Sequence, residues 1–395
     1  MEIKGLKMKM PASPPLTGDD ASSRFWQQLE ATLLPLEDNY LHWDQLCEKD
    51  IPIQNVSHKQ WWQLLKAKRR ARRQSLSFAD QQGRAFYWVF DDRLMKCLSQ
   101  IDRLFALQLT PSLLNAQRHQ IFIQEAISLA QLAGVKVTAD AAHELLCSGC
   151  PPRNQAEQRL LSYYKVLTAL PFGTELTLAT VQQMVQQLAA NNLAISLVSA
   201  QQQRLQQVLD FANQKADTFV HFMHPILKAM ILHFILVNDE IFAELSSSIA
   251  SLIFYWQLLT AGYNAMQVIS ISQQIHQHFA SYQYSFLLTY TDDNDLTYVL
   301  MQQLNYLRVA IDEFSVKASS GNFPAIIENK KLNQRQQLIW AEMQQYPAYQ
   351  YRIAAMQQRF ATTYETARTD LMGLVKNNLA KQEKIGKAFV YQGIK

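Results

Sequence analysis

Cysteine is the first residue type in this sequence that could bind a metal or support redox chemistry. Cys147 and Cys150 form a Cys-x-x-Cys pair, a spacing that binds zinc or forms a redox-active disulfide when a partner motif accompanies it. No second cysteine or histidine pair follows at zinc spacing, and no thioredoxin-like pattern surrounds the pair. We interpret the two residues as ordinary thiols near a loop.

Histidines and aspartates form two further clusters. Three histidines lie on one apolar stretch with no carboxylate at matching spacing: His221, His224 and His233. The segment Asp292 to Asp295 resembles half of a calcium loop but lacks its glycine and its distal glutamate. We interpret His233 as a core residue and the aspartates as a loop and helix cap. The sequence therefore predicts no metal site.

Six of the eight residues from Lys66 to Arg73 are basic. Such a run is either the solvated face of a helix or a basic contact surface, and we favour the solvated face.

Three serines, Ser246 to Ser248, precede an apolar stripe at helical spacing. Serine is a preferred N-cap residue, so the run predicts a helix start. The stripe predicts a buried face made of Ile249, Leu252, Ile253, Trp256 and Leu259.

The composition indicates a mainly α protein of two or three domains. The chain has 395 residues, of which 48% are hydrophobic, 18% charged and only 11 glycine. No secretory signal follows the basic N-terminus. The most apolar stretch, residues 219–237, is interrupted by His221, His224, Lys228 and His233, so it predicts a core helix rather than a membrane span. We expect a cytoplasmic protein without membrane contact.

Periodicity divides the chain into a flexible tail at 1–24, an N-terminal helical region at 25–110, a helical core at 111–318, a linker at 319–330 and a C-terminal module at 331–395. Asp91 and Asp92 predict the cap of a helix with the stripe Leu94, Leu98, Ile101, Leu104 and Phe105. Further helices are expected at about 115–133, 154–170, 177–191, 199–213, 219–237, 247–261, 268–283 and 295–318.

The C-terminal module predicts a winged helix-turn-helix. Helices are expected from Leu332 to Pro347, over 349–358 and over 364–377, followed by a hairpin with Gly386 at its turn. In such a module the polar N-terminal half of the third helix meets the bases, and basic residues near the wing meet phosphates. The nucleic-acid candidates are Arg368, Thr363, Lys376, Lys384 and Lys387.

One segment of the core resembles a known family. His224-Pro225 to His233-Phe234 resembles the helix before the active-site loop of Fic proteins, and Ala261-Gly262-Tyr263 resembles the end of their next helix. Counting from either anchor without gaps places the family's H-P-F-x-[D/E]-G-N-G-R-x-x-R motif on Glu240 to Ser251. An upstream Trp-Trp segment, Gly83-x-x-Phe86 and Asp292 to Asp295 extend the resemblance to about residues 60–395.

The resemblance implies transfer of AMP from ATP to a protein hydroxyl, but the motif has decayed. The family's catalytic histidine falls on Glu240 and its acidic magnesium ligand on Glu244. Its phosphate-binding G-N-G-R and final arginine fall on Leu245, Ser246, Ser247, Ser248 and Ser251. Leu245 therefore stands where glycine would open the phosphate cradle. Serines replace the arginines that would counter the triphosphate charge.

Two regulatory parts of the family also differ. The inhibitory glutamate of the segment Leu129 to Gly134 is replaced by Ala133. Only Asn192 to Val198 separates two expected helices, too short for the β-flap that clamps a target segment.

Three functions stay open. The first is a non-catalytic regulatory or binding protein with an unknown protein partner or DNA, with a homodimer also open. The second is an adenylyltransferase that uses ATP and magnesium, with Glu240 as base and Glu244 as magnesium ligand. The third is a small-molecule binder in the old nucleotide cleft. We favour the first, which needs no cofactor.

Overall fold

A computed structural model describes residues 31–33, 37, 39–54, 56–105, 111–147, 150–189, 197–214, 223–319, 332–345, 349–386 and 388–394. The chain is mainly α, as its composition predicted. The tail at 1–24 and all of the linker at 319–330 except Ser319 lie outside the described residues. Two compact units are formed, one from 1–104 with 277–308 and the other from 105–276 with 309–395.

The described residues up to 105 include three complete helices and a β-hairpin. The helices are α1 (Trp43–Cys47), α2 (His58–Ala71) and α3 (Asp92–Phe105), and the antiparallel hairpin pairs β1 (Arg73–Ala79) with β2 (Ala85–Val89). The expected helical region at 25–110 thus also contains strands. Gly83 has a φ of +79° at the hairpin turn, and β2 is a run of aromatic and branched residues that favours a strand.

Five helices follow: α4 (Pro111–Leu132), α5 (Ala139–Leu146), α6 (Gln155–Thr168), α7 (Leu178–Leu188) and α8 (Ser199–Asn213). Sequence periodicity anticipated four of them and missed α5. The N-cap residue Thr138 could have marked the start of α5. Its side chain accepts a hydrogen bond from the Ala141 N–H at 3.3 Å. Asn154 and Thr177 cap α6 and α7 in the same way.

Helices α9 (Pro225–Asn238) and α10 (Ser246–Thr260) pack against each other. Almost every side chain of α10 and all from Ile226 to Leu236 in α9 are buried. A helix that is apolar on all sides belongs inside the protein. The short connection at 239–245 is therefore held between two core helices, and it carries the first half of the motif.

The expected helix at 268–283 is wrong. The structure has α11 (Ile271–Gln277) and α12 (Phe279–Thr291), separated at His278, and then α13 (Thr297–Ser319). His278 has a φ of −119° and a ψ of 37°, outside the helical region. The apolar pattern continued across this break, so periodicity alone could not locate it.

The C-terminal module has the element order α14 (Gln334–Gln345), β3 (Tyr351–Arg352), α15 (Ile353–Phe360), α16 (Tyr364–Lys376), β4 (Ala380–Ile385) and β5 (Ala388–Gly393). Its strands form an antiparallel sheet in the order β3-β5-β4. The two-residue β3 was not expected. Its core is apolar and includes Ile339, Met343, Leu371, Leu374 and Tyr391.

Among the described residues, no helix is both long enough and apolar enough to cross a membrane.

Candidate functional site

The motif begins in the connection between α9 and α10. Glu240 and Ala243 have left-handed backbone, with φ values of 45° and 49°. Non-glycine residues adopt this conformation at a cost of about 1–2 kcal/mol. Ile241, Phe242 and Leu245 are buried with 2%, 3% and 7% of their surface exposed. Three apolar anchors therefore hold the connection in a strained conformation.

The two candidate catalytic carboxylates lie at the surface. Glu240 and Glu244 are both exposed. Arg159 of α6 donates from Nη2 to Glu244 Oε1 at 3.3 Å. Residues 240–251 contain no Lys or Arg, and the cation that contacts Glu244 comes from another helix.

The serines at the family's phosphate-binding positions are mostly turned into the protein. Ser246, Ser248 and Ser251 are buried, and Ser247 is exposed. The Phe242 N–H donates to Ser246 Oγ at 2.9 Å, and Ser248 Oγ donates to the Tyr163 hydroxyl at 3.3 Å. These hydroxyls already have partners inside the protein.

The expected serine cap of α10 is wrong, although the predicted buried face is confirmed. Residue 245 is the N-cap and makes no side-chain cap bond. A 3-10 turn over Ala243–Leu245 runs directly into the helix, so the serines lie inside its first turn. Ile249, Leu252, Ile253, Trp256 and Leu259 are buried as expected.

Both sequence anchors have a structural role of their own. His224 is the N-cap of α9, and its ring Nδ1 accepts the Ile226 N–H at 3.3 Å. Gly262 has a φ of +91°, and the bonds from Gly262 N–H to Leu259 O and from Tyr263 N–H to Leu258 O form a Schellman cap.

His233 is buried, and burial lowers its pKa to about 4, so it is a neutral core residue as expected. His221 lies outside the described residues.

The segment Leu129 to Gly134, which resembles the family's inhibitory helix, forms the C-terminal end of α4. Gly134 has a φ of +73° immediately after the helix, which is the position where glycine stops helices. A cavity of about 440 Å³ lies beside it, lined by Gln131, Gly134, Val135, Lys136, Val137, Thr138 and His276. None of these lining residues belongs to 240–251. Most of Asn192 to Val198 lies outside the described residues.

The basic run of α2 is not simply a solvated face. Lys66 and Arg69 are 7% and 5% exposed. Lys66 Nζ donates to Asp292 Oδ1 at 2.6 Å, and Arg69 Nη2 donates to Glu37 Oε1 at 2.7 Å. The Arg69 guanidinium also lies 3.7 Å above the centre of the Tyr40 ring. Sequence reasoning missed this because the partners of Lys66 and Arg69 lie far along the chain.

Asp292 and Asp295 are both buried, but their pKa values are shifted in opposite directions. Burial opposes ionisation of Asp292, but Lys66 and Arg69 outweigh it and lower the pKa of Asp292. Burial and the Asp292 charge raise the pKa of Asp295. Asp295 Oδ1 accepts the Thr297 N–H at 3.0 Å, so Asp295 binds the first N–H of α13 from the position before the N-cap residue, Leu296.

In the C-terminal module, the nucleic-acid candidates that the structure describes lie at the surface. Thr363 caps α16 by accepting the Thr366 N–H. Arg368 is exposed and pairs with exposed Glu365 at 3.1 Å. Lys376 and Lys384 are exposed, whereas Lys387 lies outside the described residues. Asp370 is buried and paired with Arg335 at 2.6 Å, so its charge is already balanced.

A further polar cluster joins the helical core to the C-terminal module within one compact unit. It contains His119 of α4, Cys147 after α5 and Glu342 of α14, whose ligand atoms lie within 4.8 Å of one another. Cys147 is buried, as is most of the Glu342 side chain, while Cys150 is half-buried. No sequence pattern connects these three residues.

Comparison with known proteins finds likeness among solved structures. No family model matches the sequence, and no curated protein matches it. Among solved structures, the chain is similar to the crystal structure of a Fic family protein from Desulfovibrio desulfuricans. The TM-score is 0.48 at 12% identity, over 78% of this chain and 97% of that chain.

Proposed function

We propose that this chain is a Fic-type protein that has lost AMP transfer and acts by binding a macromolecular partner. The observation that carries the proposal is the burial of Leu245 at the position of the family's first motif glycine. Phosphate cradles require backbone N–H groups that converge on an open space. A buried leucine anchored beside Ile241 and Phe242 is incompatible with such an opening.

The charges around the motif support the same proposal. Glu240 is an exposed carboxylate where the family has histidine, and its charge repels a triphosphate. Arg159 is already paired with Glu244, and the serines that replace the family's arginines carry no charge. Without cations to balance the developing negative charge, transfer of AMP loses its main electrostatic stabilisation.

The pairing of Glu244 with Arg159 also weighs against the adenylyltransferase alternative. A magnesium ion bound by Glu244 would have to displace or tolerate the guanidinium at 3.3 Å. A carboxylate is also a poor general base near neutral pH unless its pKa is raised.

Incubation with ATP labelled at the α-phosphate, magnesium and a bacterial lysate tests the loss of transfer. An active Fic enzyme in parallel is the positive control. We expect no labelled protein above a sample without the chain. Labelling that disappears in Glu240→Gln would overturn the proposal and establish Glu240 as the base.

We further propose that the C-terminal module is a winged helix that contacts DNA. Its elements follow the order of a winged helix, and α16 and the hairpin expose Arg368, Lys376 and Lys384. The pair between Arg368 and Glu365 is solvent-exposed. Such pairs are worth only about 0–1 kcal/mol, so Arg368 can turn to a base edge at little cost. Docking of a protein partner on this module is the competing outcome.

A further inference from the structure

The buried cluster of His119, Cys147 and Glu342 has the chemistry of a zinc site. Cysteine, histidine and glutamate are the side chains that bind Zn²⁺. With zinc bonds of about 2.0–2.3 Å, the ligand atoms of a tetrahedral site lie roughly 3.3–3.8 Å apart. His119 Nε2 and Glu342 Oε1 are 3.8 Å apart, and all three ligand atoms lie within 4.8 Å of one another. Small side-chain shifts would therefore complete the geometry.

The His119 ring is oriented for coordination. Its Nδ1 lies 2.7 Å from the Tyr164 hydroxyl. In the tautomer whose Nδ1–H donates to that hydroxyl, Nε2 carries a lone pair aimed into the cluster. Nε2 is buried and has no hydrogen-bond partner among the residues the structure describes. Metal-binding histidines characteristically donate their other ring N–H to a neighbouring acceptor in this way.

Glu342 divides its two carboxylate oxygens between two neighbours. Oε2 accepts from Arg359, whose side chain is 9% exposed. Oε1 is the oxygen nearest to His119. Arg359 thus fixes the carboxylate from one side, as outer hydrogen bonds do at metal sites. The Cys147 thiol hydrogen-bonds the Glu342 carboxylate, and a bound zinc ion would take the place of that thiol proton. The Nδ1 atom of the His143 ring lies 3.6 Å from Cys147 Sγ.

The geometry points to a structural zinc site formed by His119, Cys147 and Glu342 that fastens the C-terminal module to the helical core. The first two ligands belong to the core and the third to α14, and both segments lie in the same compact unit. Zinc would bind the Cys147 thiolate, with the thiol proton released to solvent. The inference is independent of the loss of AMP transfer and of DNA binding.

Metal content and cobalt substitution of the full-length protein test this site. We expect one equivalent of zinc per chain by mass spectrometry. The cobalt-loaded protein should show a sulfur-to-cobalt charge-transfer band. Cys147→Ser should lose that band and the bound equivalent, whereas Cys150→Ser, the other cysteine of the pair, should keep both. Tyr164→Phe should weaken zinc binding by about 10–100-fold.

Alkylation of the thiols in the wild-type protein tests zinc binding by Cys147 without any substitution. Zinc should slow the modification of Cys147 relative to chelator-treated protein and leave Cys150 unaffected. A folded wild-type chain without a stoichiometric metal or charge-transfer band would overturn the inference, as would a band that survives in Cys147→Ser. The cluster would then be a buried ion pair with a neighbouring thiol.

Discussion

At the scale of single residues, the motif region differs from a phosphate loop through a few side chains. Leu245 is buried where the family has glycine, and the hydroxyls of Ser246 and Ser248 are bonded internally. Glu240 and Ala243 keep left-handed backbone without being glycine. The connection therefore has a strained backbone, and the Leu245 side chain fills the space that glycine would leave open.

Ala243→Gly should stabilise the protein, against the usual effect of this substitution. Relief of the left-handed conformation is worth about 1–2 kcal/mol, and the extra chain entropy of glycine offsets about 0.5–1 kcal/mol of it. We expect a net gain of about 0.5–1 kcal/mol in the free energy of unfolding, measured by urea denaturation.

The matched control for this change is Ala67→Gly. Ala67 is also exposed but lies inside α2, so the same substitution should destabilise by about 0.5–1 kcal/mol. Equal destabilisation by both changes would show that Ala243 carries no backbone strain.

At the scale of elements, buried charges position α2 against the start of α13. Lys66 and Arg69 of the basic run pair with Asp292 and Glu37, and Asp295 accepts the first N–H of α13. All five side chains belong to one compact unit. Removal of one partner from a buried charge pair leaves the other charge uncompensated.

Asp292→Asn and Asp295→Asn should therefore differ strongly in stability. Asp292 is ionised beside two cations, so its loss should destabilise by about 3–5 kcal/mol. Asp295 has a raised pKa. In the Asn variant the amide oxygen can still accept from Thr297, and the amide nitrogen can donate to the Tyr40 hydroxyl that now donates to Oδ2 at 2.6 Å, so we expect at most about 1.5 kcal/mol. Urea unfolding of both variants at neutral pH measures the difference. Equal losses would contradict the assignment of the charge to Asp292.

The elements also show how far the sequence could predict the structure. Apolar spacing located most helices and the buried face of α10, because burial of one stripe is a local property. It joined α11 and α12 across His278 and missed β1 and β2. Pairings such as Arg159 with Glu244, or His119 with Cys147 and Glu342, depend on the fold and have no local signal. Apolar spacing therefore predicted the two helices that flank residues 239–245, but not the residues that surround this connection.

At the scale of the whole molecule, we propose that the C-terminal module provides the contact with a partner. The triple variant Arg368→Ala, Lys376→Ala and Lys384→Ala should weaken DNA binding, measured by fluorescence anisotropy at several salt concentrations. Each lost phosphate contact lowers the slope of log affinity against log salt by about 1, so we expect a slope reduced by up to about 3.

The control for this variant removes three other exposed lysines: Lys96, Lys136 and Lys165. It carries the same change in net charge but leaves the module intact, so its DNA affinity and salt slope should stay close to those of the wild type. Equal effects of the two triple variants would show that any binding follows net charge alone. Absence of binding at low salt would leave the module as a docking element for a protein.

Calorimetric titration of the folded chain with ATP in the presence of magnesium tests the proposed loss of the nucleotide site most directly. Leu245 is buried at the cradle, Glu240 is exposed, and the guanidinium of Arg159 is already paired with Glu244. The site therefore lacks several charge-assisted hydrogen bonds worth about 1.5–3 kcal/mol each. We predict no measurable binding or a dissociation constant of about 1 mM or weaker, since a constant of 1 mM corresponds to only about −4.1 kcal/mol. A dissociation constant of about 1 μM would contradict the loss of the nucleotide site.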